Sequence, residues 1–462
     1  MKFSQLRLPA RASVFYTLSA LIGRGTGLLF TPIFTRILSE EAYGIYNLYT
    51  SWIGIFTILS TLEIGGAVYM RSMQKSSDRP TLLRSACVLE FVLISLICTL
   101  YFAFYPYSSA VTGLSVFISS AMFVQIFLNS LINLYLCYSK FSYDYRKVFL
   151  INVITGCAPI LLSLILIKLF RIRLYAKILS QLLISLAVFL PLLYIIFKGK
   201  KNISIKSMLP LLRSGLSHFP HYISIALISR ADKLFIASAY GEATLAKYSV
   251  ADTVGSLLLF AMTAPLSALT PWILRKVSSG ENYRIAEVSD VALRIIGWLS
   301  LILLGFAPEI MSFLAPSAYG EALFVAYPIA VSAIPYLAFF TISSALSHRG
   351  GIAVSLPSVI GGAGALLFSY IFSKGERFTL LSLVIPLSYL IMLTLGSALC
   401  ERRGLGGIIK LSRAFILTLF TALLAFSLYL IRDNLPLRIF AVILFTVPLV
   451  FDLGRGTVLV RE

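Results

Sequence analysis

The chain has 462 residues, of which 58% are hydrophobic and only 13% are charged, and its mean hydropathy is +0.91. Soluble domains contain about 25% charged residues, so this composition excludes an ordinary globular enzyme, a disordered chain and a soluble nucleic-acid binder. Lys and Arg number 39 against 19 Asp and Glu, which gives a net charge of +20. The sequence predicts a polytopic membrane protein, and its positive charge needs a separate explanation.

The apolar segments set the predicted fold. A helix needs about 20 mostly apolar residues to cross a bilayer, and on that criterion we predict an all-α protein with about fourteen transmembrane helices, within a range of 12–14. The basic N-terminus leads into an apolar segment longer than the core of a signal peptide, so we expect an uncleaved first span. In chain order the spans lie near 14–36, 46–70, 85–105, 111–138, 148–170, 175–197, 214–239, 248–272, 290–314, 322–347, 350–372, 378–399, 413–431 and 437–453.

The Lys and Arg residues between these spans alternate in number along the chain. With the N-terminus inside, cytoplasmic segments hold 25 of the 39 and external loops hold nine, Lys177 among the nine. Cytoplasmic loops are enriched in Lys and Arg, so we expect both termini to be cytoplasmic. The net positive charge then mainly fixes the orientation of the protein in the membrane. Because the Lys and Arg residues are spread over many loops, they argue against a nucleic-acid partner.

A weak internal repeat indicates a duplication. LSEEAYGIY at 38–46 aligns with YGEATLAKY at 240–248, at an offset of 202 residues. We therefore expect two six-helix lobes that face each other across a central cavity, followed by two additional helices. The predicted divisions are an N-terminal lobe with spans 1–6 (1–197), a basic cytoplasmic linker (198–213), a C-terminal lobe with spans 7–12 (214–399), and spans 13–14 with a cytoplasmic tail (400–462).

Ionisable side chains inside several predicted spans form the main candidate site. Such residues are costly in a bilayer and usually face a cavity or a charged partner. In the functional interpretation, cations line an aqueous cavity and attract an anionic substrate, while acids and histidines serve charge pairing or ion coupling. The cations are Arg24, Arg230 and Lys233, and the pairing or coupling residues are Glu63, Asp232, Asp252, His218 and His221.

A structural interpretation of the same charges stays open. Arg24 then pairs with Glu63, and Lys233 pairs with Asp232 or Asp252, as buried ties between helices. Both interpretations account for the positions of these residues in the sequence.

Neutral polar residues mark a second candidate region. Gln125, Asn129 and Asn133 follow one another at i, i+4 and i+8, which places them on one face of the fourth span. Hydrogen bonds between helices and contacts with sugar hydroxyls both explain such a stripe. His218 and His221 lie three residues apart on the seventh span. Two interpretations of this pair stay open: the histidines mark a hydrated helix end, or they sense protons.

Several motifs are absent, and their absence narrows the function. The sequence contains no phosphate-binding GxxxxGK[ST] loop and no GxSxG elbow. No extramembrane segment exceeds about 20 residues, so the external loops are too short for a catalytic domain. No acid or cysteine joins the histidines at a metal-ligand spacing. We therefore expect neither an enzyme nor a bound metal or cofactor.

Two segments resemble a known family, the Wzx-type polysaccharide-transport flippases of the multidrug/oligosaccharidyl-lipid/polysaccharide (MOP) exporter superfamily. The family shows a glycine-rich first span, a Thr-Arg-x-Leu turn and a Tyr-Gly-x-Tyr motif, and later a Gly-x-x-x-x-Pro, an Asp-Lys/Arg pair and a Tyr-Ser. The matching residues are Thr35, Arg36, Leu38, Tyr43, Gly44 and Tyr46 in the segment 24–46, and Gly215, Pro220, Asp232, Lys233, Gly241, Tyr248 and Ser249 in the seventh-span segment.

The resemblance implies a flippase that moves an undecaprenyl-pyrophosphate-linked oligosaccharide across the bacterial cytoplasmic (inner) membrane by alternating access. The cargo would be an O-antigen, capsule or exopolysaccharide repeat unit. Arg24, Arg230 and Lys233 would attract the pyrophosphate, and the polar stripe of the fourth span would contact sugar. The resemblance also implies that transport is coupled to an ion gradient, but it does not identify the ion. Implied partners are membrane lipids, a glycan polymerase and a chain-length regulator.

Three alternatives stay open at this point. An ion-coupled drug or cation antiporter of the same superfamily would be expected to show intramembrane acids more prominently than cations. A lipid II flippase differs from the first interpretation only in its substrate. A membrane-embedded glycan polymerase or ligase needs larger external loops than this chain has.

Overall fold

The structure, a computed structural model, describes residue 15 and residues 25–76, 78–170, 172–198, 202–347 and 351–455. Over these residues the protein is helical and contains no strand. Within the described residues, nine helical segments are long and apolar enough to cross a membrane, or up to eleven if each of two bent pairs forms one span. The prediction of an all-α, multi-pass membrane protein is therefore confirmed.

The chain folds as two compact units, Met1–Ala226 and Leu227–Glu462. This boundary lies beyond the predicted linker 198–213, of which the part from Ile205 onward is helical. Leu211 of that helix is fully buried among apolar side chains of the first unit. The helix therefore packs with the first unit, although most of it was predicted to open the second lobe.

Unit 1 is an α-helical bundle. Its helices are α1 (25–37), α2 (Glu40–Thr61), α3 (Tyr69–Lys75), α4 (Arg79–Ala103), α5 (Tyr105–Thr112), α6 (Val116–Phe141), α7 (Tyr145–Phe170), α8 (Arg173–Phe197) and α9 (Ile205–Ile228). Helix α6 packs against α2, α4, α7 and α8 and is the most buried of the long apolar helices in this unit. Polar residues on α6 are thereby placed inside the bundle.

Unit 2 is a second helical bundle. Its helices are α10 (Ala231–Tyr240), α11 (Glu242–Gly255), α12 (Leu257–Ser278), α13 (Asn282–Gly305), α14 (Ala307–Leu314), α15 (Ala326–Val331), α16 (Ala333–Ser347), α17 (Gly351–Ser373), α18 (Val384–Arg402), α19 (Leu411–Leu430) and α20 (Leu435–Arg455), with 3-10 helices at Ser317–Val325 and Phe378–Leu383. Helices α19 and α20 correspond to the two additional predicted spans, and both pack on α13 within this unit.

The predicted second span is broken, which the sequence analysis did not anticipate. Helix α2 ends at Thr61, and Leu62 and Glu63 both adopt positive φ angles of 51°. A π-helical turn, Ile64–Val68, follows, and α2 meets the helical segment Ile64–Gln74 at 72°. Two adjacent glycines in this turn weaken the helix, and Gly66 has non-helical angles.

The predicted seventh and eighth spans are also interrupted. Helix α9 ends at Ile228 and α10 begins at Ala231, so the break falls at Ser229 and Arg230. Helices α11 and α12 meet at Ser256 with a bend of 48°. Charged residues predicted to lie along continuous helices therefore lie beside helix ends.

The bend between α11 and α12 depends on close packing at Gly255. A Cβ atom there would lie 2.7 Å from the carbonyl oxygen of Ala326 and 2.8 Å from Cβ of Ile329. Because backbone cannot yield as a flexible side chain can, we expect Gly255→Ala to lower stability by about 1–3 kcal/mol. Thermal unfolding of the purified protein in detergent measures the change. Gly320→Ala is the matched control, since no atom lies within 4 Å of its added Cβ, and equal effects of the two changes would contradict the argument.

Candidate functional site

A polar cavity of about 400 Å³ lies inside unit 1, between α2, α6, α7 and α8. The predicted stripe on α6 lines it with all three of its residues. Asn129 and Asn133 are accessible although they lie in the middle of an apolar helix, whereas Gln125 is buried. The polar lining residues are Thr50, Gln125, Asn129, Asn133, Thr155, Gln181 and Ser185.

Hydrogen bonds orient the amides of the cavity. Gln125 Nε2 donates to Asn129 Oδ1 and to Ser185 Oγ, each at 2.8 Å. Ser185 Oγ in turn donates to Asn129 Oδ1 at 3.3 Å. The buried Oε1 of Gln125 has no hydrogen-bond partner within the described part of the chain. The network joins α6 to α8 and leaves amide groups that can both donate and accept.

The broken second span lies at one end of this polar region. Asn133 Nδ2 and Cys137 Sγ both donate to the carbonyl oxygen of Gly65, at 3.3 and 2.8 Å. Glu63, a predicted site residue, lies at the break itself. Glu90 of α4 faces the same segment and is only 1% exposed. The sequence analysis missed Glu90, although its criterion of a charged residue inside an apolar span applies to it.

A second residue that the sequence analysis missed is Lys177 of α8. Its Nζ lies 3.8 Å from the ring centre of Phe34, 3.7 Å from that of Tyr46 and 5.0 Å from that of Tyr43. The residue is 8% exposed, and no carboxylate among the described residues forms an ion pair with it. Aromatic faces attract a desolvated ammonium group. Lys177, assigned above to an external loop, is therefore the centre of an aromatic box.

Tyr46 connects the box to the polar cavity. Its ring lies against Lys177, and its hydroxyl accepts a 2.7 Å hydrogen bond from Gln181 Nε2. Gln181 lines the cavity one helical turn after Lys177. The box, the hydroxyl and the cavity thus form one continuous set of contacts in unit 1.

Unit 2 contains a compact cluster of charges at the break between α9 and α10. Lys233 Nζ lies 2.8 Å from Asp252 Oδ2, and the two side chains are 15% and 13% exposed. Asp232 is fully buried, accepts a 2.5 Å hydrogen bond from the hydroxyl of Tyr248, and also accepts one from the amide of Lys233. Arg230 lies close enough to interact with both aspartates.

This cluster brings together every charged site residue that was predicted in the seventh and eighth spans. It holds two cations and two acids, so its formal charge is zero. Within it, Lys233 is paired with Asp252. The pairing is the contact that the structural interpretation required.

The remaining predicted residues are separate from this cluster. Arg24 lies outside the described residues. His218 Nδ1 lies 2.9 Å from the carbonyl oxygen of Ser214 in the preceding turn of α9, and His221 packs against Tyr222. No group of three His, Cys, Asp or Glu side chains suited to a metal ion occurs in the described part of the chain.

An apolar cavity of about 500 Å³ lies in unit 2, beside α15, α18 and α19. Aromatic and aliphatic side chains such as Tyr327, Leu390, Phe415 and Phe426 line it. Its lining suits a hydrocarbon group and offers little to a charged one.

The fold defines the class of protein. The chain is similar to an inward-facing MATE family multidrug resistance transporter of the MOP superfamily, with 15% identity, a TM-score of 0.64 and coverage of 90% of this chain and 99% of that one. It is similar to the lipid II flippase MurJ in an inward closed conformation, with 15% identity, a TM-score of 0.65 and coverage of 97% and 99%. A MOP superfamily transporter from Pyrococcus furiosus aligns over 91% and 97%, with 15% identity and a TM-score of 0.58. The protein therefore has the fold of MOP superfamily transporters and flippases.

The sequence gives the family. The family model described as "Polysaccharide biosynthesis protein" matches residues 10–276, more than half of the chain, and the chain belongs to that family. A search of curated proteins finds no match.

Proposed function

We propose that this protein is a flippase that moves a polyprenyl-pyrophosphate-linked oligosaccharide, of the O-antigen, capsule or exopolysaccharide type, across the bacterial cytoplasmic membrane. In this proposal it has fourteen spans and cytoplasmic termini, and it works by alternating access without an enzymatic step. The observation that carries the proposal is the amide-lined cavity of unit 1 in a member of a polysaccharide biosynthesis family.

The chemistry of the cavity suits sugar. Sugar hydroxyls both donate and accept hydrogen bonds, and so do the side chains of Gln125, Asn129 and Asn133. Among the residues that the structure describes, no acidic side chain lines this cavity, which weighs against a cationic drug as the main cargo. A lipid II flippase remains the second candidate, because the fold is equally similar to MurJ and to MATE transporters.

The charge cluster of unit 2 supports binding of the pyrophosphate. Arg230 and Lys233 are the cations in that cluster, and Arg24 is proposed as a third. Because Lys233 is already paired with Asp252, an arriving pyrophosphate would compete with that carboxylate for the ammonium group. The apolar cavity of unit 2 is suited to part of the lipid chain.

The cavity is tested by removing its hydrogen-bonding groups while keeping its volume. We expect Asn129→Leu to abolish flipping of the lipid-linked oligosaccharide, because a leucine offers no donor or acceptor to the sugar. The assay follows the oligosaccharide on each leaflet of cells or proteoliposomes.

Asn152→Leu is the matched control, since Asn152 lies in α7 but does not line the cavity. Unimpaired flipping by a well-expressed Asn129→Leu variant would contradict the sugar-binding role. Normal flipping of lipid II by the wild type, with none of the oligosaccharide, would favour the second candidate.

A further inference from the structure

A buried carboxyl group with one unpaired oxygen lies deep in unit 1, beside the broken second span. Glu90 is 1% exposed, and its Oε2 has no hydrogen-bond partner within the described part of the chain. Its Oε1 faces Gly65, 3.5 Å from the position that a Cβ of that glycine would occupy. A buried oxygen of this kind is costly when charged and unpaired, so the site calls for a ligand that neutralises it.

A second carboxyl group, that of Glu63, lies close to Glu90. The π-helical turn brings Glu63 close enough for the two carboxyl groups to interact. None of the ion pairs among the described residues involves either glutamate. The titratable or charged groups nearest the site on the packed elements are Glu63, Tyr69 on α3, Cys87 on α4, and Cys137 and Lys140 on α6.

The hydrogen bonds around the break favour a proton over a metal cation. Metal ions at unwound helices are coordinated by free backbone carbonyls, but the Gly65 carbonyl already accepts from Asn133 Nδ2 and Cys137 Sγ. The Gly65 carbonyl is therefore not free to coordinate a metal ion, whereas a proton needs only one carboxylate oxygen.

We propose that Glu90 is a proton-binding site of this protein, at which uptake and release of one proton are linked to the bent segment Leu62–Val68. The reaction is simple: the carboxylate takes one proton to become a neutral carboxyl group and returns the same proton on release. The proposed link to transport rests on the proposed function, whereas proton binding itself does not.

Infrared spectroscopy of the purified full-length protein tests proton binding directly. The wild type is expected to show the carbonyl stretch of a protonated carboxyl group, which disappears as the pH is raised. Glu90→Gln is expected to lose this band, and Glu41→Gln, which removes an exposed carboxyl group at the start of α2, is expected to keep it. Glu90→Asp retains a titratable group and is expected to retain a band if the glutamine variant folds poorly.

Proteoliposomes test the link to transport. A pH gradient is expected to drive accumulation of the lipid-linked oligosaccharide by the wild type, whereas Glu90→Gln only equilibrates it between leaflets. An unchanged infrared band in Glu90→Gln would overturn the proposal. So would loss of the wild-type band when sodium is added at constant pH, because that result identifies a metal cation. If the Glu90 band is present but the wild type moves no oligosaccharide, the proton site stands and the proposed function fails.

Discussion

Replacement of Lys233 by methionine is expected to lower the free energy of unfolding by about 3 kcal/mol. Lys233 is paired at 2.8 Å with Asp252 in a cluster that also contains the fully buried Asp232. Removal of the ammonium group leaves the carboxylates of Asp232 and Asp252 to share Arg230, and this excess of buried negative charge costs more than the loss of the pair itself. Denaturant or thermal unfolding in detergent measures it.

Two further variants make this prediction specific. Asp252→Asn in the Lys233→Met background removes the stranded charge and is expected to restore most of the stability. Lys247→Met breaks the pair with Glu321, whose side chain is 55% exposed, and is expected to cost about 1 kcal/mol or less. Equal effects of Lys233→Met and Lys247→Met would show that Asp252 is neutralised in another way.

The double variant also separates stability from transport. If Lys233 contacts the pyrophosphate as proposed, the restored protein is stable but does not flip its substrate. If Lys233 serves only as a tie between helices, flipping returns together with stability.

Tyr46→Leu is expected to destabilise the protein by about 2 kcal/mol, of which about half comes from the lost contact between the ring and the Lys177 ammonium. The Tyr46 ring is the face nearest to the Lys177 ammonium, at 3.7 Å. A desolvated cation that loses this face is left with Phe34 and Tyr43, and the latter lies farther away at 5.0 Å. Leucine retains apolar contact but has no π-system to attract the cation.

A double-mutant cycle isolates the interaction. Lys177→Met removes the charge, and in that background Tyr46→Leu is expected to cost only about 1 kcal/mol, from the lost hydrogen bond of the hydroxyl. Tyr46→Phe keeps the ring and removes only the hydroxyl that accepts from Gln181, so it is expected to cost about 1 kcal/mol. Additive effects of Lys177→Met and Tyr46→Leu would contradict an energetic role for the cation–ring contact.

The polar cavity was the part of the site most accessible to sequence analysis. Gln125, Asn129 and Asn133 belong to one helix, so the helical period alone places them on a common face. Their partner Ser185 lies 60 residues after Gln125, and no local pattern connects the two. Helical spacing thus predicts the stripe, but only the packing of α6 against α8 shows that it lines a cavity.

Lys177 and Glu90 show two different limits of sequence analysis. Lys177 lies near a predicted span end, where a lysine normally reaches water, and its three aromatic neighbours lie more than 130 residues earlier in the chain. Glu90 could have been found, because it lies inside an apolar span. Its closeness to Glu63 and Gly65, however, arises at the break at Leu62 and Glu63, where two non-glycine residues have positive φ angles.

The two aligned tyrosines, Tyr46 and Tyr248, use the same hydroxyl group in opposite ways. Tyr46 accepts from the neutral amide of Gln181, whereas Tyr248 donates to the carboxylate of Asp232. If the two copies arose by gene duplication, one has specialised toward neutral polar chemistry and the other toward ionic chemistry. A glycan joined to a pyrophosphate likewise combines a polar part with an ionic part. Under the proposed function, evolution can change the sugar through the first copy while the second continues to bind the pyrophosphate, and glycan preference among relatives is expected to track substitutions around Tyr46.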